Sequence, residues 1–189
     1  MSITLDHVSK AFGEEHVLKD VSLTFKDHGR YSLTGRSGLG KTTLLRLIGG
    51  LDTPDTGTVT VTPGTRFSWQ FQENRLLPRV RAADQLAFTA GGRERALELM
   101  EAAGLHEARD KYPAQMSGGM KRRLSLLRAL AFDSDILLLD EPLRELDGET
   151  TERMISMIDH MLGERMLIMV THRPEEALAL GCTVIEPDE

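Results

Sequence analysis

The residues that can do chemistry begin at Gly35–Thr43, GRSGLGKTT, a run with the pattern Gly, any four, Gly, Lys, Thr. It lies between an extended run, Arg30–Thr34, and a helical run, Lys41–Gly49. Glycines let the loop wrap so that successive backbone N–H groups converge, and the following helix adds its unpaired N-terminal donors and dipole. Such a nest binds phosphate. Lys41 is placed to reach β and γ phosphates, and the Thr42 hydroxyl to ligate Mg²⁺. A second pair, Asp140 and Glu141, ends the apolar run of Ile136–Pro142, ILLLDEP. At the carboxyl end of a buried strand, where ligand crevices open, Asp140 is expected to hold Mg²⁺ through water and Glu141 to polarise an attacking water.

Positioning these groups requires strands and helices in alternation. Ser2–Val8 alternates apolar and polar residues, and Val21, Leu23 and Phe25 repeat the period of two, predicting paired strands of a half-exposed sheet with Phe12 in the turn between them. Strands are expected at Thr58–Thr62 and Arg66–Phe71, after the turn Pro54–Gly57. Helical periodicity runs from Pro78 to about Arg109, closed by Gly104, and again over Lys121–Phe132. The run Ile136–Leu139 has the continuous hydrophobicity of a strand buried on both faces. A helix over Gly148–Leu162, a strand over Met166–Val170, a helix over Pro174–Leu180 and a strand over Thr183–Ile185 follow. The order predicts an α/β fold with parallel crossovers, its core formed by residues 1–77 and 134–189 and a helical subdomain inserted at 78–133.

Composition narrows the partners. The chain has 189 residues, enough for a single domain, and a formal net charge of −6. That acidity argues against non-specific nucleic-acid binding and against an electrostatic grip on anionic lipid. The N-terminus shows no signal-peptide pattern and no stretch is apolar enough to span a bilayer, so work at a membrane is expected to depend on another chain. The single cysteine, Cys182, excludes an internal disulfide framework, and its place beside Thr183–Ile185 predicts a core residue.

With the loop and the acidic pair in place, the chain resembles the ATP-binding subunits of ABC transporters over almost its whole length. The resemblance implies one domain, 1–189, with a P-loop NTPase core, a parallel-rich central sheet, an N-terminal antiparallel β subdomain and the inserted helical subdomain. ATP and Mg²⁺ are the implied cofactors. Met116–Met120, MSGGM, is similar to the family's signature sequence, so Ser117, Gly118 and Gly119 are implied to close on the γ-phosphate held by a partner's phosphate loop. Gly35, Arg36, Ser37, Gly38, Leu39, Gly40, Lys41, Thr42 and Thr43 are implied to cradle this chain's own nucleotide. By the same resemblance Gln72, in FQENRLLP, joins the Mg²⁺ shell, His172, in VTHRPEEAL, contacts the γ-phosphate and helps orient Glu141, and Phe12 stacks on adenine. Asp147, in LRELD, falls on the loop that runs along the dimer interface; Arg144 and Glu145 stand there where small residues are usual.

FQENRLLP and THRPEEAL are most similar to importer subunits of the nitrate, sulfonate and taurine type. The resemblance then implies a cytoplasmic protein, peripheral on the inner membrane face, held by a transmembrane permease that docks near Gln72–Arg81, where exposed Leu76 and Leu77 are flanked by arginines. A second cassette, identical or related, and an extracytoplasmic solute-binding protein complete the implied assembly, with no nucleic acid. Two other readings stay open at this stage. A soluble ATPase of the same superfamily acting on nucleic acid or ribosomes would typically carry paired cassettes or long coiled-coil insertions; a P-loop kinase for a small molecule would leave MSGGM, Gln72 and His172 without a task.

Overall fold

A computed structural model describes residues 1–35 and 38–186. Two sheets share the chain: an antiparallel one in the order β2-β1-β4 and a parallel one in the order β5-β6-β7-β3-β8, where β1 is Ser2–Phe12, β2 Glu15–Lys26, β3 Arg30–Leu33, β4 Thr56–Val61, β5 Phe67–Gln70, β6 Ile136–Asp140, β7 Met166–Val170 and β8 Thr183–Ile185. Helices α1 (Lys41–Ile48), α2 (Ala82–Ala90), α3 (Arg93–Ala102), α4 (Gly118–Ala131), α5 (Gly148–Leu162) and α6 (Pro174–Ala179) supply the crossovers and the insertion.

Strands β6 and β7 are buried at every residue, and their period of two divides them between two cores. Leu137, Leu139, Leu167 and Met169 face the cluster built by α2, α3, α4 and α5. Ile136, Leu138, Met166, Ile168 and Val170 face α1 and the antiparallel sheet. Each fully buried side chain of this kind contributes about 1.5–3 kcal/mol of burial. The Asp140 end of β6 is therefore fixed from both sides, which is what a site built there needs.

Sequence and structure differ where tertiary contacts override pattern. Strand β1 continues to Phe12, which pairs with Glu15 as the last residue of the strand rather than sitting in the turn. Its register breaks between Leu5 and Val8, where His7 takes φ 51°, so the inward set becomes Ile3, Leu5 and Val8. The long helical stretch after Pro78 is broken at Gly91 and Gly92 into α2 and α3, with a 3-10 turn at His106–Ala108. Helix α4 begins at Gly118, because Ser117 caps it, so the signature glycines form its first turn. Leu76 is not exposed but packs against the helical cluster, while Leu77 is exposed; Gln85, itself buried, accepts from Leu77 N at 2.9 Å and donates to Leu77 O at 3.1 Å. Cys182 is half-buried with its Sγ 3.9 Å from Met169 Sδ, and burial pushes its thiol up to about 11.

Candidate functional site

Helix α1 starts without a side-chain cap: its N-cap is Gly40, in the left-handed region at φ 72°. A Cβ there would lie 2.8 Å from Val17 O and 2.8 Å from Leu18 Cδ2, so the close approach of the loop to β2 requires glycine. Helices α4 and α5 are different, since Ser117 Oγ accepts from Met120 N at 3.2 Å and Asp147 Oδ1 accepts from Thr150 N at 2.8 Å. Helix α1 thus presents the positive end of its dipole to the loop with no side-chain cap from its N-cap residue, the setting that favours an anion. Lys41, 5% exposed, donates its Nζ to Gly35 O at 2.9 Å. Arg36 and Ser37, also expected in the cradle, lie outside the described residues.

The Thr42 hydroxyl donates to Asp140 Oδ1 at 3.3 Å, joining the phosphate loop to the end of β6. Asp140 is buried; burial is the main cause that pushes its carboxyl above the ordinary value, and the bond from Thr42 opposes that shift. Glu141 follows with φ 49°, a conformation that costs about 1–3 kcal/mol in a residue other than glycine. Its N–H donates to Val170 O at 2.9 Å, which anchors the turn to β7. The carboxylate is held at both oxygens: His172 Nε2 is 3.0 Å from Oε1 and Arg144 Nη1 is 3.0 Å from Oε2. The His172 backbone is set from behind, because Thr171 Oγ1 accepts from Arg173 N at 3.1 Å and donates to Glu176 Oε2 at 2.6 Å.

One cleft of about 350 Å³ brings Thr42, Glu141 and His172 together, lined by Phe12, Glu15, Val17, Gly38, Gly40, Lys41, Thr42, Thr43, Gln72, Glu141, Val170 and His172. That volume lies in the range of small-molecule sites. Phe12 is 52% exposed at the mouth of the cleft, so it is no core residue. Leu39 closes the loop instead of lining the cleft; its Cδ1 lies 3.0 Å from where a Cβ on Gly35 would sit. Ser117, Gly118 and Gly119 do not line this cleft, and neither does Asp147. Asp147 caps α5, which holds its carboxyl below the ordinary value through the bonds from Thr150.

Sequence reasoning did not foresee three contacts: Arg144 on Glu141, the Thr171–Glu176 brace behind His172, and Arg122, whose Nη1 donates to Gln72 O at 2.8 Å. Arg144 had a signal, as a charged residue where the family resemblance leads one to expect a small one. Arg122 had none, because it and Gln72 are fifty positions apart.

The profile of the ABC transporter family matches residues 18–144, which include the phosphate loop, MSGGM and the Asp140–Glu141 pair. The chain belongs to the ABC transporter family. It is accordingly an ATP-binding and ATP-hydrolysing subunit. Among relatives, the aliphatic sulfonates import ATP-binding protein of Agrobacterium fabrum (strain C58) is 37% identical over 198 aligned residues, covering 100% of this chain and 72% of that protein. A protein of the same description from Pseudomonas syringae pv. tomato is 40% identical over 199 aligned residues, covering 99% and 73%. A solved dimeric ATP-binding cassette in a post-hydrolysis state, bound to ADP and Pi, superposes with a TM-score of 0.82 at 30% identity, over 94% of this chain and 90% of that chain. Within the ABC transporter family the antiparallel sheet, the parallel-rich sheet and the helices found here are the common architecture.

Proposed function

We propose that this chain is the motor subunit of an importer for a small anionic solute of the sulfonate class, working as a pair of cassettes on the cytoplasmic face of a membrane-spanning permease. The import and sulfonate parts of the proposal are supported by the names of the Agrobacterium and Pseudomonas relatives, and the pairing by the dimeric cassette with ADP and Pi. An extracytoplasmic protein that delivers the solute belongs to the same proposal. No helix among the described residues is long and apolar enough to cross a membrane, so the permease supplies the attachment, with docking around Gln72–Arg81. We divide the chain into a core of residues 1–77 and 134–189 and a helical subdomain, 78–133, that carries the signature.

The observation that carries the reading is the 3.3 Å bond from Thr42 Oγ1 to Asp140 Oδ1, with the Glu141–His172 pair on the same cleft. A hydroxyl, one carboxylate and the Gln72 amide are hard oxygen donors of the kind that hold Mg²⁺ together with substrate phosphates. The fit is electrostatic as well: burial disfavours the charged Asp140, and a cation beside it would compensate. Among the described residues no three His, Cys, Asp or Glu side chains form a metal cage, and a site shared with phosphate does not need one. Mg²⁺, when bound, neutralises charge that develops on the β and γ phosphates.

The side chains then divide the work. Phe12 stacks on the base, and the α1 amides with Lys41 hold the phosphates and stabilise charge on the transferring group. Glu141 takes a proton from the attacking water while His172 keeps its carboxylate oriented. Ser117, Gly118 and Gly119 of the partner cassette close on the γ-phosphate, and Asp147 lies along that seam. Hydrolysis by the purified chain tests the assignment: Lys41→Ala should lose ATP binding and turnover together, whereas Glu141→Gln should lose turnover by about 10²-fold or more and keep ATP bound. Normal hydrolysis by Glu141→Gln would remove Glu141 as the base.

A further inference from the structure

Helix α4 is tied by polar bonds to the segment that carries Gln72. Arg122, only 6% exposed, donates Nη1 to Phe71 O at 3.1 Å and to Gln72 O at 2.8 Å. Gln70 Nε2 donates to the same Phe71 O at 2.8 Å. Ser68 Oγ donates to Ala129 O at 2.5 Å, and Arg128 Nη1 to Arg75 O at 3.2 Å, so the ties run along both sides of the loop.

Arg122 is a costly way to fill this space. Burial pushes its guanidinium below the ordinary value, and among the described residues no carboxylate lies within ion-pair distance; Glu141, Glu145 and Asp140 offset the charge from farther away, and Arg144 opposes them. An apolar side chain would pack there without that desolvation. What an apolar side chain cannot do is hold two consecutive carbonyls at the turn where Gln72 leaves β5. Helix α4 is capped by Ser117 and begins with Gly118 and Gly119, so one helix joins the MSGGM segment to Arg122 and the Gln72 backbone.

We propose that Arg122 is a positioning residue that fixes the Gln72 loop to the signature helix, so that the loop meeting the γ-phosphate and the helix closing on the partner's nucleotide move as one unit. This rests on the functional reading of Gln72 and of the signature given above. Without the guanidinium, Gln72 O loses its donor while Phe71 O keeps Gln70, so the disturbance centres on Gln72 itself.

The test uses the full chain as Gln72→Ala, Arg122→Met and Arg122→Lys, with thermal melting as a check on folding. ATP affinity should be unchanged in Arg122→Met and Arg122→Lys, because Arg122 neither touches the α1 cradle nor lines the cleft, whereas kcat of Arg122→Met should fall by about 10²-fold, the cost of a misplaced group of about 1 Å. Arg122→Lys, which keeps a charged donor, should recover part of that loss. The same substitutions added to Glu141→Gln should raise the ATP concentration needed for dimer formation, a readout that loss of general stability does not move. Arg122→Met with the parent's kcat and dimerisation, beside an impaired Gln72→Ala, would overturn the proposal, as would a kcat loss matched by an equal loss of ATP affinity. If Arg122→Met does not fold, the proposal stands on Arg122→Lys: parent values in both readouts overturn it, and reduced values with intact ATP affinity support it. An unimpaired Gln72→Ala would instead sink the functional reading underneath.

Discussion

Removing Arg144 should make this enzyme faster. Both oxygens of the Glu141 carboxylate are engaged, Oε1 by His172 and Oε2 by Arg144, each at 3.0 Å. In its proposed role as base the carboxylate must free one oxygen to take a proton from water, and the Arg144 contact is the one proposed to break. Arg144 is 52% exposed and Glu141 12%, so solvent screens the pair and its worth is that of a surface ion pair, about 0.5–1 kcal/mol. Breaking it before each turnover therefore slows hydrolysis by about two- to fivefold. Arg144→Ala should raise kcat by that factor and leave ATP affinity unchanged, since Arg144 does not line the cleft with Phe12 and Lys41. The assay is steady-state phosphate release against ATP concentration, beside Glu145→Ala, which removes only the 3.5 Å pair of Arg144 Nε with Glu145. Raising salt should shrink the gain, because it screens the contact in the parent. A kcat below the parent's would refute the reasoning and show that the guanidinium assists the chemistry.

Two further expectations concern stability. Gly40→Ala combines left-handed strain of about 1–2 kcal/mol with crowding of about 1–3 kcal/mol against Val17 O, so Tm should drop by about 5–15 °C; Gly38→Ala, which meets nothing within 4 Å, should show the first cost alone, and equal drops would contradict the crowding. Burial of Glu176 raises its carboxyl above the ordinary 4.5, so from there upward the native state keeps a proton that the unfolded chain has lost, and stability falls as pH rises through the folded value. Glu176→Gln should remove that decline, and urea unfolding at about pH 5 and about pH 8 should show the variant gaining on the parent at the higher pH; a constant difference would exclude an upward shift of the Glu176 carboxyl.

Much of this was legible because the decisive signals are local. The uninterrupted apolar runs of β6 and β7 mark strands covered on both faces, and α5 and β7 fall where caps and periodicity place them. Lys41 and Thr42, Glu141 and His172 share one cleft because each follows a strand at the carboxyl end of the parallel sheet, with Asp140 behind Thr42 at the end of β6. Legibility fails where a residue's role depends on something distant in sequence. The His7 bulge answers Gly57, whose Cα approaches His7 O so closely that a Cβ would sit 2.2 Å from it. Leu76 turns inward because Gln85 pins the following residue. Arg122 and Arg144 have helix and loop positions that pattern alone assigns to solvent, and only the packed structure reveals their acceptors.

The most direct test of the central claim is the mass of Glu141→Gln in solution, measured by light scattering with and without ATP and Mg²⁺. Doubling of the monomer mass with ATP, reversed when nucleotide is removed and absent in Lys41→Ala, is the result predicted for two cassettes that close their phosphate loops on each other's signatures. A chain that binds ATP yet keeps its monomer mass, alone and with its permease's cytoplasmic segments added, would contradict the account.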